Sequence, residues 1–250
     1  MTRIIMVGCN GHMGQVITDL VAADEEARIV AGVDISEAKN DYPVYDSIDK
    51  VKEEADAIID FSSPKLLDAL LKYACDKQIP AVLCTTGYTK EQVEMIKDAS
   101  EKVAILRSAN MSLGINTMSK VMETVTKTLA EAGFDIEIVE KHHNQKLDAP
   151  SGTALALADT INEQLENSYE YKYDRTTQRA KREKKEIGIS AVRGGTIVGE
   201  HEIIFAGTDE VLTFKHTAYS KAIFGKGAVS AAKFIGGKQP GLYTMKDVIG

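Results

Sequence analysis

Two rhythms of apolar and polar positions divide the chain. Through the first hundred or so residues, short continuous apolar runs alternate with longer amphipathic stretches, which predicts strands at Ile4–Val7, Ala27–Val33, Ala57–Phe61, Ala81–Cys84 and Val103–Leu106. Between them lie helices over Gln15–Ala23, Pro64–Lys77 and Lys90–Lys102. Strands that are apolar on both faces and separated by helices belong to a parallel, doubly wound sheet. Near Gly114 the rhythm changes: a long helix, Ile115–Ala132, leads to the alternating strand Asp135–Glu140 and then to a helix over Thr153–Leu165. A strongly polar segment, 167–186, precedes alternating strands at Ile187–Val192, Thr196–Phe205 and Glu210–His216. Short turns between consecutive strands predict a mostly antiparallel or mixed sheet, hence a second domain of α+β type. By pattern alone the last helix, Gly225–Ile235, and the tail Pro240–Tyr243 fit either domain.

The first strand runs directly into Gly8-Cys9-Asn10-Gly11-His12-Met13-Gly14, a helix follows, and the second strand closes on Asp34, about twenty residues beyond the turn. A strand, a glycine turn, a helix and a strand ending in an acid form the dinucleotide-binding layout, Rossmann-type, although the spacing is G-x-x-G-x-x-G. Ligands of such sheets bind beyond the carboxyl ends of the strands. Phe61-Ser62-Ser63-Pro64, Thr85-Thr86-Gly87 and Ser108-Ala109-Asn110-Met111 each follow a strand and fall on that side.

Reactive side chains concentrate between Glu140 and Ala154, where two of the five histidines are adjacent, His142 and His143, with Lys146 shortly after. The flanking patterns put this stretch on a strand-to-helix loop. Pro150 suits the first turn of the following helix, and Ser151, Gly152 and Thr153 then offer backbone N–H groups at the positive end of the helix dipole, an anion-binding arrangement. Histidines that titrate near neutral pH beside a lysine suit proton transfer. The bland alternative is a solvated loop with an ordinary helix cap.

Composition narrows the partners. A net charge of −7 argues against general affinity for nucleic acid, and the basic run Arg175, Arg179, Lys181, Arg182, Lys184 and Lys185 lacks interleaved aromatics, so it reads as surface. No apolar run reaches membrane-span length, and the opening strand is too short for a signal peptide, so a cytoplasmic location is expected. Three cysteines, Cys9, Cys75 and Cys84, without metal-ligand spacing are expected to be reduced thiols, and no metal site is expected.

The combination of Val7–Gly14, Asp60-Phe61-Ser62, Thr85-Thr86-Gly87, Ala109–Ser112, the loop Glu-x-His-His-x-x-Lys-x-Asp-Ala-Pro-Ser-Gly-Thr beginning at Glu140, Arg193–His201 and Gly241-Leu242-Tyr243 resembles the dihydrodipicolinate reductase family over nearly the whole chain. The resemblance implies NADH- or NADPH-dependent reduction of a small cyclic imine bearing two carboxylates, with loss of water, in lysine biosynthesis. It implies a homotetramer built through the second domain's sheet, and a C-terminal segment returning to the cofactor domain, giving domains of 1–112 plus 220–250 and of 113–219. By the same resemblance His142 is the acid/base residue and Lys146 the proton donor, while His143, Gly152 and Thr153 bind substrate. The cofactor falls to Gly8, Cys9, Asn10, Gly11, His12, Met13, Asp34, Cys84, Thr85, Thr86, Ser108, Ala109, Asn110 and Met111.

Two positions depart from the family's pattern: Cys84 replaces the glycine of a Gly-Thr-Thr-Gly turn, and Met111 replaces an aromatic. A thiol there is expected to narrow the cofactor's space. After Asp34 come Ile35 and Ser36, with Lys39 further on, so no arginine awaits a 2′-phosphate and NADH is the expected cofactor, with NADPH an accepted alternative. Two other readings stay open: another two-domain dehydrogenase acting on an amino acid or sugar, and a non-catalytic NAD(P)-sensing module. A sensor has no use for His142 and Lys146 beside an anion-binding turn.

Overall fold

The computed structural model describes residues 1–36, 40–108, 110–176 and 179–250, and the counts below are of those residues. In chain order the elements begin with β1 (Thr2–Val7), α1 (His12–Ala22), β2 (Ala27–Val33), β3 (Val44–Tyr45), β4 (Ala57–Asp60), α2 (Leu67–Lys77), β5 (Ala81–Leu83), α3 (Lys90–Ser100) and β6 (Ala104–Arg107). They continue with α4 (Leu113–Glu131), β7 (Asp135–His142), α5 (Gly152–Glu163), β8 (Glu170–Lys172), β9 (Glu186–Arg193), β10 (Gly199–Ala206) and β11 (Val211–Ala218). The last three are α6 (Ala222–Ile235), β12 (Gly241–Tyr243) and α7 (Met245–Ile249). Two compact units result: Met1–Leu113 with Ala222–Gly250, and Gly114–Lys221.

In the first unit the strands form a seven-stranded sheet ordered β12-β6-β5-β4-β1-β2-β3, and the pairings within it are parallel. The two-residue period of each strand sends its side chains to two cores. Ile5, Val7, Ile58 and Ile105 meet Leu67, Leu70 and Ala74 of α2 and Ile96 of α3 on one face. On the other, Ile4, Met6, Ile59 and Leu106 meet Ile17 and Val21 of α1 and Ala228, Ala232 and Ile235 of α6. Burial on both faces is why these strands read as unbroken apolar runs. The last helix and the tail, ambiguous by pattern, both lie in this unit, with β12 extending the sheet beside β6. The strand order reverses at β1, between β4 and β2, so a crevice opens beyond the carboxyl ends of β1 and β4.

The second unit holds a five-stranded sheet ordered β11-β10-β7-β9-β8. Pairings of β10 with β11 and β7 are antiparallel, whereas β7–β9 and β8–β9 are parallel, so the sheet is mixed. The expectation that consecutive strands pair fails between β9 and β10, which lie on opposite sides of β7. Gly194 and Gly195 carry the chain across: Gly194 N–H donates to His142 C=O at 2.9 Å, and Asn144 N–H donates to Gly195 C=O at 3.2 Å. Gly195 has φ of +49°, in the left-handed region that glycine enters without a Cβ clash. One face of the sheet, Ile136, Ile138, Ile187, Ile203 and Phe205, packs against Met118 and Met122 of α4 and Leu157 and Ile161 of α5.

The basic run is not the free surface its composition suggests. Arg175 pairs with Glu186 at 2.6 Å and with Glu137 at 2.7 Å, and Arg182 pairs with Asp135 at 2.9 Å while donating to the Ile136 and Glu186 carbonyls. These two arginines fold onto the sheet because β7 and β9 present acids and open carbonyls at that end. Arg179, Lys181, Lys184 and Lys185 do stay exposed. Among the described residues no helix is long and apolar enough to cross a membrane, and no cluster of His, Cys, Asp or Glu could hold a metal ion.

Candidate functional site

The crevice of the first unit is built by close backbone approach. Gly8 has φ of +79°, and a Cβ there would lie 2.6 Å from Phe61 O, while a Cβ on Gly14 would lie 2.2 Å from Gly8 O. The glycine turn thus lets α1 start directly over the sheet's carboxyl edge. Helix α1 opens after Gly11 with no side-chain cap, leaving its positive end for an outside anion. Asp34 follows β2 directly as an ionised group. Burial alone would raise its pKa, but Ser36 N–H at 2.9 Å, Ser36 Oγ at 2.7 Å and Asn10 N–H at 3.0 Å all donate to the carboxylate and hold it below the ordinary range. Beside it lies a cleft of about 510 Å³ lined by Gly8, Gly11, Asp34, Ile35, Phe61 and Leu66 among others, apolar enough for a flat ring and polar where Asp34 stands.

Other expected cofactor residues distribute less evenly. Asn10 is tied to Ser36 and Asn40 through its side chain, and His12, Gly11 and Thr86 are exposed. Cys9 is fully buried and faces the core, its thiol pushed up to about 11 by burial, so only its backbone can meet a ligand. Cys84 also turns inward: it continues the β5 alternation on the Val82 side and packs against the same core, with its thiol raised well above its usual range by burial. Met111 is buried in this core as well. Thr85 Oγ1 accepts from Ser62 N–H at 3.0 Å, tying the loops after β4 and β5 together. Ser108 and Asn110 are half-buried, Asn110 accepting from Ser112 N–H at 2.8 Å, and Ala109 and Lys39 lie outside the described residues.

In the second unit, β7 runs two residues further than its pattern predicts and ends at His142, so this histidine sits on a strand end and only the residues after it are loop. Alternation places Glu140 and His142 on the buried face, in line with Ile136 and Ile138. Glu140 is fully buried, and its carboxylate collects four hydrogen bonds. His142 Nδ1 lies 2.6 Å from Oε2, Ser151 N–H donates to Oε1 at 2.9 Å, and the Arg193 guanidinium grips both oxygens at 2.7 Å each. Burial pushes the Glu140 pKa up, but Arg193, His142 and Ser151 outweigh it and hold the group below the usual range. Arg193 reaches Glu140 because β9 lies parallel to β7 with His142 opposite Arg193.

The second face of His142 meets His201, ring centroids 5.2 Å apart and edge-on. His201 is buried, its Nε2 lies 3.1 Å from Ser151 Oγ, and burial, followed by charge on His142, lowers its pKa to about 4, so it is neutral at pH 7. Gly199 stands against the His142 ring: a Cβ there would lie 3.2 Å from Nε2.

The loop start of α5 differs from its sequence reading. Ser151 is the N-cap, accepting from Ala154 N–H at 3.2 Å, and the helix begins at Gly152, so Pro150 lies outside the first turn. The Ser151 N–H is already taken by Glu140, and after it Gly152 is exposed and Thr153 half-buried. Lys146, half-buried, pairs with Asp148 at 2.8 Å. The Asp148 carboxylate is held below its usual range first by Lys146, with the Gly152 amide contributing. Arg193 also donates to Asp148 C=O at 2.6 Å, anchoring the loop. His143 is half-buried in the same loop. Glu140, Arg193 and His201 received no role from sequence, and Ser151, expected to offer its N–H to an outside anion, gives it to Glu140 and caps α5. Glu140 and Arg193 are fifty-three positions apart, and only the β7–β9 register joins them.

Two family models, described as dihydrodipicolinate reductase N-terminus and C-terminus, match residues 2–111 and 114–249. The chain is similar to a 4-hydroxy-tetrahydrodipicolinate reductase of Caldanaerobacter subterraneus subsp. tengcongensis, 52% identical over 249 residues and covering 100% of this chain and 98% of the relative. A protein of the same name from Clostridium tetani is 49% identical over 246 residues, covering 98% of this chain and 96% of the relative. Among solved structures, dipicolinate-bound dihydrodipicolinate reductase from Paenisporosarcina sp. TG-14 matches the whole of both chains with a TM-score of 0.82 at 26% identity.

Proposed function

The chain belongs to the dihydrodipicolinate reductase family, and from this premise we propose that it reduces 4-hydroxy-tetrahydrodipicolinate to tetrahydrodipicolinate with loss of water. The observation that carries the reading is one loop that joins His142, Lys146 and the start of α5 over a buried carboxylate. Water leaves the hydroxyl-bearing ring, and the resulting conjugated imine takes up a hydride and a proton. A nicotinamide cofactor supplies the hydride when bound, and the Gly8 turn, the uncapped start of α1 and the Asp34 cleft fit such a group.

The protein's own residues handle charge. Hydride addition builds negative charge toward the ring nitrogen, and a cation placed there stabilises the transition state and then supplies the proton. Lys146 is assigned that role, with His142 as acid/base and His143 contacting substrate. Gly152 and Thr153, at the positive end of α5, receive a ring carboxylate. The dipicolinate bound by the Paenisporosarcina protein is a cyclic dicarboxylate of the kind this arrangement suits. Residues 1–112 with 220–250 are assigned to cofactor, and 113–219 to substrate and to assembly as a homotetramer. Exposed Val211 and Leu212 on the edge strand β11 support the assembly, which light scattering in solution tests.

For the cofactor we propose a preference for NADH. The ionised Asp34 accepts from ribose hydroxyls and repels a 2′-phosphate, and Ile35, 91% exposed, supplies no countercharge. Lys50, in the adjoining cleft, is engaged by Asp46 at 2.8 Å. The test is oxidation of each cofactor, at one ionic strength, in the presence of enzymatically generated 4-hydroxy-tetrahydrodipicolinate. Turnover with kcat/KM higher for NADH is expected. Absence of turnover with either cofactor would refute the activity, and a clear NADPH preference would refute the argument from Asp34.

A further inference from the structure

We infer that Glu140 is a positioning residue that fixes the tautomer of His142 and ties it to the start of α5, so that the acid/base group and the carboxylate-binding turn are set by one buried side chain. The inference rests on the proposed roles of His142 and Gly152.

An ionised carboxylate only accepts hydrogen bonds, so the nitrogen 2.6 Å from Glu140, His142 Nδ1, carries a proton. The neutral ring then holds its lone pair on Nε2, and this nitrogen faces the side kept clear by Gly199, where a single Cβ would come within 3.2 Å. The ring is thereby presented with one defined nitrogen to accept or return a proton. Glu140 would do little of this if it could rotate or neutralise. Its second oxygen is held by Ser151 N–H at 2.9 Å, and Arg193 clamps both oxygens in the bidentate geometry that fixes a carboxylate plane. Ser151 is the cap of α5, with Gly152 next in sequence, so a displacement of the carboxylate moves the imidazole and the helix start together. A simple counter-ion for Arg193 would need none of the contacts to His142 and Ser151.

Two measurements test this. The first needs no variant of Glu140: in histidine-15N-labelled wild-type protein, the His142 ring, assigned by its disappearance in His142→Asn, is expected as the Nδ1–H tautomer when neutral. An Nε2–H tautomer overturns the inference whatever the activity is. The second compares Glu140→Gln alone with Glu140→Gln combined with Arg193→Met, which removes the buried ion pair as a whole and avoids stranding the arginine. In both, kcat is expected to fall roughly 100-fold, the low end of what a positioned acid or base contributes, with KM for NADH unchanged and dipicolinate binding weakened. If the double variant folds and regains wild-type kcat and tautomer, Glu140 is only a partner for Arg193 and the inference is wrong. Lack of turnover in the wild type would instead count against the proposed reaction and leave the tautomer result standing.

Discussion

Acid should destabilise the second unit through His201, and the size of the effect follows from its surroundings. The ring is 5% exposed, Nδ1 has no hydrogen-bond partner among the described residues, and burial followed by charge on His142 lowers the pKa from 6.5 to about 4. In the unfolded chain this histidine takes up a proton near pH 6.5, whereas in the folded chain it resists until about pH 4. Between those values the unfolded state binds more protons, so stability is full above the window and falls as the pH drops through it. At about 1.4 kcal/mol per pKa unit, the loss across the window is on the order of 3 kcal/mol. His201→Gln removes the titration and keeps a side chain able to bond Ser151 Oγ. Denaturant unfolding followed by circular dichroism, in half-unit steps from pH 7 to 4 at constant ionic strength, should show wild-type stability declining more steeply than that of the variant. His216, also lowered by burial, acts in the same direction but is present in both proteins and cancels in the difference. Parallel curves for the two proteins would refute the reasoning.

Other outcomes follow from single contacts. Lys146→Ala is expected to lower kcat by orders of magnitude, an effect of several kcal/mol, and His142→Ala to lower it with little change in cofactor binding; near-normal turnover in both would remove them from the chemistry. Asp148→Asn frees Lys146 and the Gly152 amide, so dipicolinate should bind more tightly by calorimetry, and weaker binding would show that the inhibitor does not use those donors. Gly227→Ala should destabilise the first unit by on the order of 3 kcal/mol, because its Cβ would lie 1.7 Å from Met111 O; an unchanged thermal midpoint would contradict that packing.

The sequence was most informative where local rules act alone. The apolar run of β1, the glycine turn and the helix after it follow from contacts within one βαβ unit, and the alternation of β7 marks which of its residues are buried. Partners chosen over long distances were invisible. Nothing near Arg193 in the chain announces Glu140, and nothing in β9 and β10 reveals that β7 lies between them. The Arg-Gly-Gly of residues 193–195 makes sense only once the crossing is known, since the arginine reaches inward as the glycines pass over the end of β7. Cys84 shows a local rule reaching past an element's end: its side chain packs against the Val82 core because strand alternation continues one step beyond β5.

The first unit is interrupted in sequence, because Ala222–Gly250 completes what Met1–Leu113 begins. On the ribosome, the strands up to β6 emerge with one of their two faces lacking α6, whose Ala228, Ala232 and Ile235 cover Ile4, Met6, Ile59 and Leu106. That apolar surface has only α1 as native cover until Ala222–Ile235 has been made, whereas Gly114–Lys221 is contiguous and can close as soon as it has emerged. Synthesis therefore reverses the order of the chain: the later-translated unit is the first able to finish folding, and the nascent N-terminal sheet is the part that chaperones would have to shield.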